Sequence, residues 1–187
     1  MSISTSRTAR GAAAGAVALA LLVTPSAPAS AHDGHGRTVT AHAQADGAGF
    51  ALEAGRLTDL QKGKSPLDRA HAVVLSLPTE HGSVVLLSLR DVRRAAGQRF
   101  GAHVHEGPCL KKDPAAALGH YAVGAPASAT TEVWLDVTIS KRGTGISVAS
   151  VPFRVAPGER SVVLHEKPTD PTGAAGTRLA CLPVTFT

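Results

Sequence analysis

GAHVHEGPC, residues 101–109, places two histidines one residue apart. In a β-strand successive side chains leave on opposite faces, so His103 and His105 would share one face while Val104 takes the other, toward a core. Two imidazoles then converge on one spot. A metal site is one reading of such a pair, and a solvated edge strand is the bland one.

The surroundings favour strand. After the N-terminal region the chain reads as short β-rich runs, TVTAHAQA (38–45), FALEAGRL (50–57), HAVVLSL (71–77), SVVLLSLR (83–90), RFGAHVH (99–105), TEVWLDVTI (131–139), GISVASV (145–151), SVVLHE (161–166) and LACLPVTF (179–186). Turn signals separate them, among them ADGAG, PTEHG, SKRGTG and APGER. No segment holds a 3.6-residue apolar period over ten residues; DVRRAAGQ offers a turn or two at most, and PAAAL allows one helical turn. Strands at this spacing predict an all-β, antiparallel sandwich or barrel.

The N-terminus predicts export. Arg7 and Arg10 precede the apolar run GAAAGAVALALLV (11–23), and TPSAPASA then offers small-residue cleavage sites after Ala29 and after Ala31, so residues 1–31 read as a secretory signal peptide. The run is short for a membrane span, and none is expected after cleavage. Residues 32–37 read as a flexible, His-containing tail, and 38–187 as one domain. The formal charge of +5 falls to +3 when Arg7 and Arg10 are removed, and it is spread along the chain. Aromatic residues make up only 3%, too few for a base-stacking groove, so no nucleic-acid partner is expected; small anions remain attractive. Oligomeric state is not legible.

Cys109 and Cys181 are the only cysteines. In an exported chain an even number implies one disulfide by default, with two buried thiols as the alternative. Two further histidines stand in defined contexts, His120 in LGHYAVG and His165 in SVVLHEKPTD.

Taken in order, GAHVHEG, GHY fifteen residues after His105, SVVLHEKPTD and GAAGTRLAC resemble the signature blocks of copper,zinc superoxide dismutases. The resemblance covers about residues 70–187 and implies a Greek-key β-sandwich or barrel of superoxide dismutase type. It further implies His103, His105, His120 and His165 as copper ligands, with His120 also handling a proton. Arg178 would draw in and orient superoxide, and Cys109–Cys181 would form the disulfide that pins the arginine-bearing loop. Imidazole suits copper, and arginine is a permanent cation for an anionic substrate.

One departure stands out. The stretch YAVGAPASAT (121–130), where the family brings further ligands to zinc, holds no His, Asp or Glu. The zinc site is therefore expected to be absent, as in copper-only members of the family, and the loop EKPTDPTGAAGT (166–177) is short. Without zinc, the second nitrogen of His120 needs another partner, for which Glu132, Asp136, Asp113 and Asp170 are candidates. Trp134, Phe50, Phe100 and Phe153 read as core or turn-packing residues, and His42, His71 and His81 as surface residues. His32 and His35, near the new N-terminus, could form a copper-capturing tail or a plain flexible one. The resulting expectation is an exported copper-dependent superoxide dismutase, or alternatively a copper-buffering module of the same fold.

Overall fold

The computed structural model describes residues 49–61 and 65–187. The expected signal peptide, the tail with His32 and His35, the run TVTAHAQA and His42 lie outside the described residues.

The strands are β1 (Ala51–Arg56), β2 (Thr58–Asp59), β3 (His71–Thr79), β4 (Gly82–Arg90), β5 (Arg99–Phe100), β6 (Ala102–His105), β7 (Val137–Thr138), β8 (Gly145–Val151), β9 (Gly158–His165) and β10 (Arg178–Phe186). One four-stranded sheet has the order β1-β3-β4-β8 and a second the order β2-β10-β9-β6, while β5 and β7 form a small ribbon. Every strand pair is antiparallel. The all-β antiparallel fold expected from the strand pattern is the one observed.

Period-two alternation builds the core. Val74, Val85, Leu87 and Leu89 from the first sheet meet Ala102, Val104, Val162, Leu164, Leu182, Val184 and Phe186 from the second in one buried cluster. Each fully buried Val, Leu or Phe contributes roughly 1.5–3 kcal/mol. The second sheet is buried on its outer face as well. There Leu60, Ala117, Val163 and Cys181 form a smaller cluster, with Cys109 packed against it. Double coverage explains why SVVLH reads as a continuous apolar run.

Cys109 and Cys181 form a disulfide with Cα atoms 5.7 Å apart. It closes a 72-residue separation, worth about 4 kcal/mol in the chain-entropy treatment. The bond fixes the segment after His105 to β10, three residues beyond Arg178.

Three local expectations change. RFGAHVH breaks into β5 and β6 because Gly101 donates its amide to the Lys167 carbonyl at 2.7 Å instead of to a neighbouring strand. A Cβ there would lie 2.7 Å from both Ala175 Cβ and the Lys167 oxygen, so only glycine fits. TEVWLDVTI keeps its alternation, yet only Val137–Thr138 is regular strand; the earlier residues touch their neighbours through single bridges, Ala122 to Glu132 and His103 to Trp134. Phe50, expected to pack in a core or turn, is 40% exposed because it precedes β1 on the outward parity. The turn in PAAAL is a 3-10 turn at Pro114–Ala117, with the Asp113 carboxylate accepting from the Ala116 amide.

Candidate metal centre

Parity sets the site. On β6, Ala102 and Val104 enter the core while His103 and His105 face the opposite side. On β9, Val163 pairs with His103 and Ser161 with His105, so His165 shares their face. Behind the disulfide loop the chain doubles back along β6. Glu106 donates its amide to the Gly119 carbonyl, Tyr121 donates to that of Val104, and His120 bridges to His105. Four imidazoles from three chain segments thereby meet, with one nitrogen of each within 4.8 Å of the others. His103, His105 and His165 are buried, and His120 is partly so.

Backbone and side-chain acceptors fix the tautomers. Nδ1 of His105 donates to the Leu118 carbonyl and Nδ1 of His165 to that of Gly176, both at 3.2 Å. A carbonyl can only accept, so both Nε2 atoms are bare lone pairs, and they lie 3.2 Å apart. His103 is fixed the other way round. Thr169 donates its hydroxyl to Asp136, so its oxygen accepts from His103 Nε2 at 2.8 Å. Asp136 also accepts the Thr169 amide at 2.9 Å and lies 3.5 Å from Arg99. His103 Nδ1 is left buried without a partner. His120 Nδ1 donates to Glu132 Oε2 at 2.8 Å, which leaves its Nε2.

The centre repels protons. Burial first, then the charges of His120, His165 and His105, lowers the His103 pKa to about 2. Burial, His120, Arg178 and His165 lower that of His105 to about 3, against the bond to Leu118. For His165, burial outweighs the Gly176 bond and leaves the pKa at about 4. Converging lone pairs, one orphaned buried nitrogen and resistance to protonation together suit a cation bound by imidazoles. Among the described residues this is the one group of three or more His, Cys, Asp or Glu arranged in this way.

Folding should consequently be acid-sensitive without metal. Above the unfolded pKa of 6.5 the three buried histidines are neutral in both states. Below it the unfolded chain takes up protons that the folded one refuses, so stability falls with pH. Between pH 6.5 and 5.5 each should cost roughly 1 kcal/mol. Denaturant unfolding of metal-free protein at the two pH values should show a drop of about 3 kcal/mol; unchanged stability would mean that the cluster takes up protons freely.

Glu132 is only 5% exposed. The same Oε2 that holds His120 also accepts from Trp134 Nε1 at 2.7 Å. Of the four carboxylates named from the sequence, Glu132 thus partners His120. Asp136 serves His103 through Thr169, Asp113 caps the 3-10 turn, and Asp170 accepts within its own loop from Thr172 and Ala174. Trp134 is more than the packing residue expected, because its indole orients that carboxylate. Thr169 went unnoticed, as did the carbonyls of Leu118 and Gly176, which no side-chain pattern can reveal. A legible signal did exist: Glu132, Trp134 and Asp136 alternate through an apolar run just as His103 and His105 do.

Arg178 faces His165 across the β9–β10 pair, where the register slips by one residue at Leu179. Such a bulge re-aims a side chain. The guanidinium donates to the Pro114 carbonyl at 2.7 Å and to that of Leu118 at 2.6 Å, so one carbonyl holds both Arg178 and His105. Partial burial lowers the Arg178 pKa, and a guanidinium remains charged. Of the other histidines, His71 accompanies Asp91 at 3.1 Å and His81 is exposed.

Fold and site together define an antiparallel β-sandwich with a four-histidine centre competent to hold a metal ion. No protein-family model matches the chain, and no curated protein does. Among solved structures it is similar to the Cu/Zn superoxide dismutase from Brucella abortus, at 17% identity over 73% of this chain and 99% of that one, with a TM-score of 0.48.

Proposed function

We propose that the chain is an exported, copper-dependent superoxide dismutase that uses no zinc. The observation that carries this reading is the set of four imidazoles whose hydrogen-bond partners leave Nδ1 of His103 and Nε2 of His105, His120 and His165 for a metal. The order of the motifs GAHVHEG, GHY, SVVLHEKPTD and GAAGTRLAC supports superoxide as the substrate. The disulfide supports an oxidising compartment outside the cytoplasm.

Copper at these nitrogens would supply the one-electron couple, Cu(II)/Cu(I), by which one superoxide is oxidised to oxygen and a second is reduced. The overall reaction converts two superoxide ions and two protons to oxygen and hydrogen peroxide. Arg178 attracts the anion, and its two carbonyl bonds hold the guanidinium in a set orientation. His120 keeps its Nδ1 proton hydrogen-bonded to Glu132, and its Nε2, whenever it is not holding copper, is the atom that would receive and pass on a second proton. The Glu132 carboxylate offsets the charge that His120 then carries, the task zinc would otherwise share.

A second reading, a copper-buffering module, has one observation in its favour: both Arg178 bonds already go to backbone carbonyls, which leaves fewer donors for an anion. Competitive loading with copper and zinc, followed by metal analysis and superoxide decay, separates the two. One copper per chain, no retained zinc and decay faster than that caused by free copper are expected. Copper retention without such decay would favour the buffering module, and retained zinc would remove the copper-only assignment.

A further inference from the structure

The outward face of the β1-β3-β4-β8 sheet carries no charged side chain over two complete cross-strand rows and a third that spans β3, β4 and β8. The register aligns Leu52, Leu75, Leu86 and Val148 in the central row, and Ala54, Val73, Ser88 and Ile146 in the next. One step the other way lie Leu77, Val84 and Ser150, with Phe50 just before the first paired residue of β1. Five of these side chains stand open, Ile146 at 69%, Leu52 at 59%, Val148 at 58%, Leu77 at 44% and Phe50 at 40%. Most antiparallel sheets turn a polar face to water. This one turns an aliphatic face outward, and nothing among the described residues covers it.

We propose that this face joins two copies of the chain about a two-fold axis. Four strands at ~4.8 Å spacing and three rows at ~6.7 Å spacing give a footprint of roughly 400 Å². With the flanking rows it reaches roughly 600 Å² per copy, below the ~800 Å² of a standard interface, which suits a reversible dimer with micromolar affinity. The lack of charge in the central rows makes that part of the face complementary to itself, and the charged residues stay at its rim. The ends select the orientation. Arg56, His71 and Arg90 form the row that closes one end, with Asp91 beside His71, while the β3–β4 hairpin at the other exposes Glu80 next to His81. An axis running along the strands would stack the two arginine rows. An axis in the interface plane and perpendicular to the strands sets each arginine row over the partner's Glu80 end, and this is the arrangement we assign.

Sedimentation equilibrium of protein expressed from the full chain, from 1 to 300 µM, tests the assignment. Wild type should move from monomer to dimer across that range. Val148→Glu and Leu52→Glu, at exposed positions, should each weaken association by about 100-fold or more while leaving the melting temperature unchanged at the lowest concentration, where wild type is monomeric. A monomer at every concentration would overturn the proposal, including the case in which the chain before Gly49 covers the face. A dimer untouched by both substitutions would overturn it equally.

Discussion

Replacing His165 with alanine should weaken copper binding by at least about 100-fold, because loss of even an outer partner of a metal ligand costs 10–100-fold. His165 Nε2 lies 3.2 Å from its counterpart on His105, and its ring is held from behind by the Gly176 carbonyl. With His165 gone, three imidazoles remain in a cluster that loses its closest nitrogen pair. Competition with a copper chelator reads the effect directly. A second consequence follows from burial. His165 resists protonation, with a pKa of about 4, so metal-free His165→Ala should lose roughly 1 kcal/mol less stability than wild type between pH 6.5 and 5.5. A variant that holds copper as tightly as wild type would remove His165 from the site.

Substitution of Arg178 tests turnover apart from loading. Arg178→Ala should retain copper while lowering the superoxide rate about tenfold, and Arg178→Glu should lower it further, since a cation near a small anion's path raises encounter rates by 10–10³. Added salt should slow wild type, because attraction is screened over about 10 Å at 0.1 M, and should speed Arg178→Glu, where the local field is reversed. Arg178 is among the charges that lower the pKa values of His105 and His165, so both should rise in either variant. Equal rates in Arg178→Glu and wild type would favour a copper carrier over an enzyme.

Much of this architecture is written in period-two patterns. The runs at 71–77, 83–90 and 145–151 alternate, and they became β3, β4 and β8 with inward and outward sides as alternation demands. The grouping of His103, His105, His120 and His165 was legible through the order of motifs, since single histidines carry no such signal. What escaped is what depends on distance in space. Thr169 lies 66 residues from His103, and the acceptors for His105 and His165 are peptide oxygens that every residue possesses. Four acids were candidates to hold His120, and only the bridge between Ala122 and Glu132 brings one of them into reach. The uncharged outer sheet face was hidden for a related reason. Each strand alone shows a few apolar residues of ordinary kind, and the patch exists only once the register aligns them.

The bond from Trp134 to Glu132 gives the protein an internal optical gauge. Trp134 is the sole tryptophan in the sequence, so all indole emission comes from one place. Its Nε1 shares a carboxylate oxygen with His120, and its ring centroid lies 6.2 Å from that of His103. Any event that shifts the Glu132 carboxylate, whether a proton arriving on His120 or an ion settling among the imidazoles, alters the polarity felt by that one chromophore. Emission colour and intensity should therefore change with the state of the histidine cluster in the unlabelled chain, which a fluorescence titration with copper checks.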